Sequence, residues 1–165
     1  MPTDDDRFRT VLNNLSDSSA EGTSSTGGDG RPKPIQPGHG GSASVLVVDD
    51  EADVRLLVRR FLESAGHVVV EAPSGRDALM LLRQGSSVHA LITDLKMADG
   101  SGGWLMAQLG YEFPDLLRRT VIISGDAASA ATAHVSVRWK CPVVGKPLSP
   151  TALLDAIASL PAAEP

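Results

Sequence analysis

Five short runs of β-branched and aliphatic residues alternate with helical segments along most of this chain. The runs are SVLVV (44–48), HVVVE (67–71), HALIT (89–93), TVIIS (120–124) and PVVGK (142–146). Strands that alternate with helices form βαβ units, which make a parallel sheet covered by helices on its faces. The pattern therefore predicts an α/β protein with a (βα)5 arrangement.

The segments between the runs carry helix start and stop signals. Gly66 ends the apolar helical periodicity that follows the first run, and Ser74 with Asp77 forms a capping box before the second helix. An alanine-rich stretch at residues 127–133 predicts the fourth helix, and Ser149 caps the last one. The segment WLMAQL predicts the third helix, so each strand is followed by one predicted helix.

The beginning of the chain differs in composition from the rest. Residues 16–42 are dense in Gly, Ser, Thr and Pro, with Ile35 as the only large aliphatic residue. Such a segment buries too little apolar surface to offset the entropy lost on ordering. We predict a disordered tail or linker over residues 1–43, with a candidate short helix near Phe8, and a folded domain over residues 44–161.

Charge and composition exclude several classes of function. The formal net charge of -5 and the pI near 5.3 leave no basic footprint for direct nucleic-acid binding. The single cysteine, Cys141, rules out an intramolecular disulfide and is most simply a packing residue. No apolar run approaches the roughly 18 residues of a spanning helix, so we predict a cytoplasmic protein without a membrane partner.

Polar residues stand at the ends of four predicted strands. Asp49 and Asp50 end the first strand, Asp94 follows the third, Ser124 ends the fourth and Lys146 ends the fifth. Because parallel strands point the same way, their carboxyl ends meet along the edge where such folds bind ligands. We expect these side chains to form one site.

The residue types at this edge suit phosphoryl transfer. Asp94 is a carboxylate able to attack phosphorus, and Asp49 and Asp50 add the hard oxygen ligands that Mg²⁺ prefers. Adjacent carboxylates about 5 Å apart repel by roughly 3 kcal/mol per pair at an effective dielectric of 20, which a cation relieves. Lys146 and Ser124 supply a positive charge and a hydroxyl donor for phosphoryl oxygens.

These motifs resemble the response-regulator receiver domains of two-component signalling. The resemblance covers about residues 44–160 and rests on the paired acids, the motif DLKMADGSGG, the run VIIS and the tripeptide GKP at 145–147. Asp94 and Ser124 are 30 positions apart, and Ser124 and Lys146 are 22 apart, which matches the family. The stretch PDLLRRTVIISGD is also similar to receivers at the end of hybrid histidine kinases.

The resemblance implies a flavodoxin-like fold with strand order 2-1-3-4-5 and a phosphoacceptor role for Asp94. A histidine kinase or histidine phosphotransfer protein would be the donor, with Mg²⁺ as cofactor and the backbone carbonyl of Lys96 as a further metal ligand. Ser124 would swing toward the phosphoryl group and remodel the face formed by the fourth helix, fifth strand and fifth helix. The downstream protein partner stays unknown.

Two positions depart from the family pattern. Ala98 replaces a usual proline, and Val143 stands where the family has a switch aromatic. An alternative function is therefore a pseudo-receiver, a protein-interaction module that works without phosphate. A phosphatase of the haloacid-dehalogenase kind is disfavoured because Lys96 replaces its second acid. With only PAAEP after the last helix, we expect a signalling domain without an output domain, and not an enzyme beyond its own phosphotransfer and dephosphorylation.

Overall fold

A computed structural model of the chain describes residues 44–162. The predicted tail over residues 1–43 and its candidate helix lie outside the described residues, so the domain boundary stays a prediction. The strands are β1 (Ser44–Val48), β2 (Val68–Ala72), β3 (Ala90–Asp94), β4 (Thr120–Ser124) and β5 (Val143–Gly145). The helices are α1 (Ala52–Ser64), α2 (Gly75–Arg83), α3 (Ser101–Glu112), α4 (Pro114–Arg118), α5 (Ala130–Trp139) and α6 (Pro150–Ala158).

The five strands form one parallel sheet in the order β2-β1-β3-β4-β5. This confirms the predicted flavodoxin-like topology. The register pairs Asp94 with Ile123 and Ser124 with Gly145. The last residues of neighbouring strands therefore lie side by side, and the predicted site residues meet at one edge.

The core follows the two-residue alternation of the strands. On one face, α1 and α6 bury Val58, Leu62 and Leu153 against alternate residues of the sheet. The strand residues in this cluster are Val45, Val47, Ala90, Ile92, Val121, Ile123 and Val144. Strands β1, β3 and β4 are buried along almost their whole length, which is why they are continuous hydrophobic runs rather than alternating ones.

Local capping agrees with the sequence signals. Ser74 accepts a hydrogen bond from the Asp77 amide at the start of α2, and Ser149 accepts one from Ala152 at the start of α6. Gly66, after α1, has φ +86°, a conformation that strains residues with a Cβ. Both capping assignments and the stop at Gly66 are confirmed.

Two helices differ from the sequence prediction. The fourth predicted helix, placed at residues 127–133, is α5 and begins at Ala130 after a turn over residues 125–128. Ser129 sets this start, because its side chain accepts the amide of Thr132. Helix α4 was not predicted, since five residues are too few to show a helical period.

Helix α3 lies very close to the end of β3. A methyl group at Gly102 would stand 2.6 Å from the carbonyl oxygen of Leu95 and would also collide with the carbonyl oxygen of Asp94. The missing side chain allows this approach and brings the helix against the backbone of the predicted phosphoacceptor. Among residues 44–162, no helix has the length and apolar character needed to cross a membrane.

Candidate functional site

Two buried aspartates form the base of the site. Asp49, directly after β1, is fully buried, and Asp94, the last residue of β3, is 5% exposed. Strand pairing between β1 and β3 brings them together. The Asp49 carboxylate accepts the Glu51 amide at 2.9 Å, and Asp94 accepts the Lys96 amide at 2.7 Å. Each carboxylate is therefore held by the loop that follows its own strand.

Lys146, which follows the edge strand β5, contacts the carboxylates that follow β1 and end β3. Its Nζ lies 2.7 Å from Asp94 Oδ2, 3.1 Å from Asp49 Oδ2 and 3.4 Å from Glu51 Oε1. The Lys146 amide also donates to the Ser124 carbonyl at 2.9 Å, which anchors the end of β5 to β4. One ammonium group thus neutralises part of the charge of three acids.

Burial and neighbouring charges have opposite effects on the pKa values of Asp49 and Lys146. Burial raises the pKa of the Asp49 carboxyl, although the Glu51 amide and Lys146 favour its charged form. Burial by itself lowers the pKa of Lys146, but Asp94 and Asp49 outweigh it and raise the pKa above its ordinary value. Lys146 is therefore a permanent cation at neutral pH.

The three acids after β1 do not all face the same way. One oxygen each from Asp49, Glu51 and Asp94 lies within 4.8 Å of the others, a set that fits a hard divalent cation. Asp50 is exposed, and its carboxylate accepts the Ala98 amide at 2.8 Å. Residues two apart share a side in extended backbone, which places Asp49 and Glu51 together and turns Asp50 toward the loop after β3.

Ser124 is at the same edge but its hydroxyl has other partners. Its Oγ is buried, accepts the Asp126 amide at 3.1 Å and lies 3.4 Å from Thr132 Oγ1. Val143, the position predicted to lack the switch aromatic, is half-buried and pairs with Ile122. The sheet edge therefore brings Ser124 near the acids, while its side chain bonds toward α5.

Lys96 forms an exposed ion pair outside the cluster of acids. Its Nζ pairs with Asp126 at 3.2 Å, and both side chains are more than half exposed. This pair links the loop after β3 to the loop after β4.

A sequence model of the response regulator receiver domain matches residues 45–158. The chain belongs to this family. Receiver domains are signalling domains of two-component systems that bind Mg²⁺ through acidic residues and interact with histidine kinases or phosphotransfer proteins. The predicted family is thus confirmed.

The match covers a small part of one relative and most of the length of another. The receiver domain is 34% identical over 110 residues to the sensor kinase CckA of Brucella abortus, a match covering 66% of this chain and 11% of that protein. It is 34% identical over 92 residues to a chemotaxis protein CheY homolog of Campylobacter jejuni, covering 54% of this chain and 71% of the relative. The chain thus spans only a small part of the kinase.

Solved structures show the same fold. A response regulator receiver domain protein from Clostridium thermocellum superimposes with a TM-score of 0.60 at 27% identity, over 70% of this chain and 91% of that one. A CheY-like receiver domain protein from Methanospirillum hungatei gives a TM-score of 0.63 at 22% identity, covering 71% and 91% of the two chains.

Sequence reasoning missed two residues of this receiver site. Glu51 was not among the predicted metal ligands, although it is the third acid of the run after β1 and contacts Lys146. Thr132 was not singled out, because a threonine in an alanine-rich helix gives no signal of its own. Only the fold brings its hydroxyl to Ser124.

Proposed function

We propose that this receiver domain accepts a phosphoryl group on Asp94 from a histidine kinase or histidine phosphotransfer protein, as one step of a phosphorelay. The observation that carries the proposal is the contact of 2.7 Å between Asp94 Oδ2 and Lys146 Nζ inside a cluster of carboxylates. A nucleophilic carboxylate, a fixed cation and a set of oxygen ligands are the parts that phosphoryl transfer needs.

In the proposed transfer, an oxygen of Asp94 forms a bond to phosphorus while the bond from phosphorus to the donor nitrogen breaks. The electron pair of that bond stays on the donor imidazole. Carboxylates are ionised at neutral pH, so no general base is needed. Lys146 stabilises the negative charge on the phosphoryl oxygens and keeps the acyl phosphate oriented toward the sheet edge.

The proposed metal ligands are Asp49, Asp50, Asp94 and the backbone carbonyl of Lys96. Oxygens of Asp49, Glu51 and Asp94 within 4.8 Å of one another support a divalent cation here, so Glu51 is near enough to contribute, whereas Asp50 and Lys96 are proposed from the family resemblance. When bound, Mg²⁺ supplies a second positive charge for the phosphoryl oxygens. Asp50 already links its own loop to the loop after β3 through the Ala98 amide.

The proposed output is a change of surface shape rather than catalysis on a substrate. Ser124 donates its hydroxyl to a phosphoryl oxygen and draws the loop after β4 with it. The face formed by α5, β5 and α6 then binds a downstream protein that stays unidentified. We propose no enzymatic activity beyond phosphotransfer and the loss of the phosphoryl group by hydrolysis.

A second candidate, the phosphate-independent pseudo-receiver, is favoured by one observation. Val143 is half-buried beside β4, and its short side chain has no ring to move between solvent and core. If output needs such a ring, the fold persists as an interaction module while phosphorylation has no effect.

The deciding experiment is the intact mass of the protein after incubation with acetyl phosphate, with and without Mg²⁺. We expect a gain of one phosphoryl group that requires Mg²⁺ and disappears in Asp94→Asn. Asp99→Asn is the matched control, because Asp99 lies in the same loop and accepts the Ser101 amide instead of entering the cluster.

Three outcomes separate the candidates. A gain in the wild type and in Asp99→Asn, but not in Asp94→Asn, supports the phosphoacceptor. A gain that persists in Asp94→Asn places the modification elsewhere. If neither acetyl phosphate nor a panel of histidine kinases modifies the wild type, the pseudo-receiver is the better account.

A further inference from the structure

Helix α5 is held to the domain in an unusual way. Thr132 is its only fully buried residue, 2% exposed, while the others are half-buried or exposed. A surface helix normally buries an apolar stripe. Here the single buried position is polar, so the contacts of the Thr132 hydroxyl decide how the first turn of the helix is anchored.

Three hydroxyl groups connect β4 to this turn. Thr132 Oγ1 lies 3.4 Å from Ser124 Oγ, and Ser129 Oγ donates to Thr132 Oγ1 at 3.0 Å. The Thr132 amide donates to Ser129 Oγ at 3.2 Å. We call Ser124, Thr132 and Ser129 the hydroxyl chain. It runs from the predicted switch residue to the residue that caps α5.

The hydroxyl chain has a proton arrangement that satisfies every contact. Because Ser129 donates its proton to Thr132, the proton of Thr132 is available for Ser124 Oγ. Ser124 Oγ also accepts the Asp126 amide at 3.1 Å, so its own proton is free for a further acceptor. Displacing Ser124 leaves a buried Thr132 hydroxyl without its acceptor, which is unfavourable.

We propose that Thr132 is a positioning residue that couples Ser124 to helix α5. In the unphosphorylated domain Thr132 holds the Ser124 hydroxyl toward α5. When Ser124 turns to a phosphoryl group on Asp94, Thr132 loses its partner and the first turn of α5 loosens. The trigger rests on the proposed phosphorylation, whereas the link itself belongs to the unphosphorylated chain. The hydroxyl chain gives this receiver a connection to α5 that does not need a ring at Val143.

The first test examines the link without any phosphoryl group. Hydrogen exchange of the amides of residues 132–136 is measured in the full chain for the wild type, Ser124→Ala, Thr132→Val and the double variant. We expect each single variant to raise exchange about fivefold and the double variant to raise it by much less than the product of the two, since both remove the contact between the Ser124 and Thr132 hydroxyls. Rates that multiply in the double variant overturn the coupling.

Thr151→Val is the matched control. Thr151 is exposed in the first turn of α6, so the same substitution there removes no buried hydroxyl. We expect exchange in α5 to stay at the wild-type rate. If Thr151→Val raises the exchange of α5 as much as Thr132→Val does, the rise does not depend on the buried hydroxyl of Thr132 and the proposal is wrong.

The second test adds Mg²⁺ and beryllium fluoride as a stand-in for the phosphoryl group. We expect α5 exchange to rise about fivefold in the wild type and to stay unchanged in Thr132→Val, where the link is already lost. An equal rise in both proteins overturns the coupling.

The two proposals fail in distinguishable ways. If neither acetyl phosphate nor the panel of histidine kinases changes the mass of the wild type, the proposed function is in error, while the first exchange test still decides on the link. If the mass increases but the exchange of Thr132→Val responds like the wild type, phosphorylation stands and the role of Thr132 does not.

Discussion

Lys146 has the densest set of charged contacts among the residues of the site. Its ammonium touches two buried carboxylates and Glu51. Removing it leaves Asp49 and Asp94 buried without their cation, a change that is typically strongly destabilising. The sequence could predict this residue because it follows a strand and precedes the distinctive Pro147.

Lys146→Met is expected to lower the free energy of unfolding by about 3 kcal/mol at pH 7 and to slow phosphoryl uptake at least about tenfold. Urea unfolding and the acetyl phosphate assay measure the two effects. Lys96→Met is the matched control, because Lys96 is 60% exposed and pairs only with exposed Asp126. Equal losses in both variants would contradict the role given to Lys146.

The destabilisation in Lys146→Met should also depend on pH. Burial already raises the pKa of Asp49, and loss of the lysine removes an influence that lowers it. A carboxyl whose pKa is higher in the folded chain than in the unfolded chain stabilises the fold at low pH. This stabilisation is lost as the pH rises through the folded pKa. The difference from the wild type is thus expected to shrink as pH falls from 7 toward 4.

Cys141 offers a second pH-dependent prediction. It is 2% exposed, and burial raises its pKa from the ordinary 9.0 to about 11. Its stabilising contribution is complete below the unfolded pKa and is lost as pH rises through 9 toward 11. We expect a decline in stability over this range that is absent in Cys141→Ala, and thiol labelling at pH 8 at least about a hundredfold slower than in urea.

The acids of the site include contacts that the sequence could predict and contacts that it could not. Asp49 and Asp94 were predicted to meet, because both follow parallel strands, and the structure brings them to one lysine. Which of Asp50 and Glu51 joins them depends on the direction of the backbone after β1. The three adjacent acids in the sequence do not indicate that direction, which is determined by the folded loop.

At the scale of elements, the approach of α3 to the end of β3 leaves no room for a side chain at the contact. Gly102 permits it, and its neighbour Gly103 has open space where a methyl group would lie. The two glycines are adjacent in one helix, so they form a matched pair for testing how far the helix position controls Asp94.

Gly102→Ala is expected to destabilise the domain by about 2 kcal/mol through overpacking and to slow phosphoryl uptake, because the helix must move away from Asp94. Gly103→Ala is expected to stabilise it by about 0.5 kcal/mol through helix propensity. Thermal unfolding and the acetyl phosphate assay check both. If the two substitutions behave alike, the close approach does not control the site.

Prediction of the elements was good where packing and local signals agree. The starts of α2 and α6 were predicted from their caps, and both caps bond as expected. The start of α5 was misplaced because alanine favours helix everywhere in the stretch, while the actual start is set by Ser129. Short α4 has a proline at its first position but too few residues for a pattern.

At the scale of the whole molecule, cation binding should report on the assembled site. The proposed Mg²⁺ site exists in the folded chain and not in the unfolded one, so at about ten times its dissociation constant Mg²⁺ is expected to add about 1.4 kcal/mol to the free energy of unfolding. Thermal unfolding with and without Mg²⁺ measures this. Asp49→Asn is expected to abolish the increase, and an undiminished increase would place the cation elsewhere.

The topology was predictable because regular alternation of strands and helices leaves few ways to build a parallel sheet. The order β2-β1-β3-β4-β5 came from the family resemblance, since alternation alone does not determine which strand lies in the centre. The site followed from the topology, because every strand delivers its last residue to the same edge. The contacts of side chains across that edge, such as Thr132 with Ser124, needed the folded chain.

The pair formed by Asp49 and Lys146 joins residues 97 positions apart. On a ribosome that adds about 5–20 residues each second, the acids emerge about 5–20 s before the lysine that neutralises them. In the nascent chain, Asp49 therefore stays without this cation until Lys146 has been added. The acidic site is consequently complete only after β5 has been made, and a chain truncated before β5 is expected to lack the cation that Asp49 and Asp94 share.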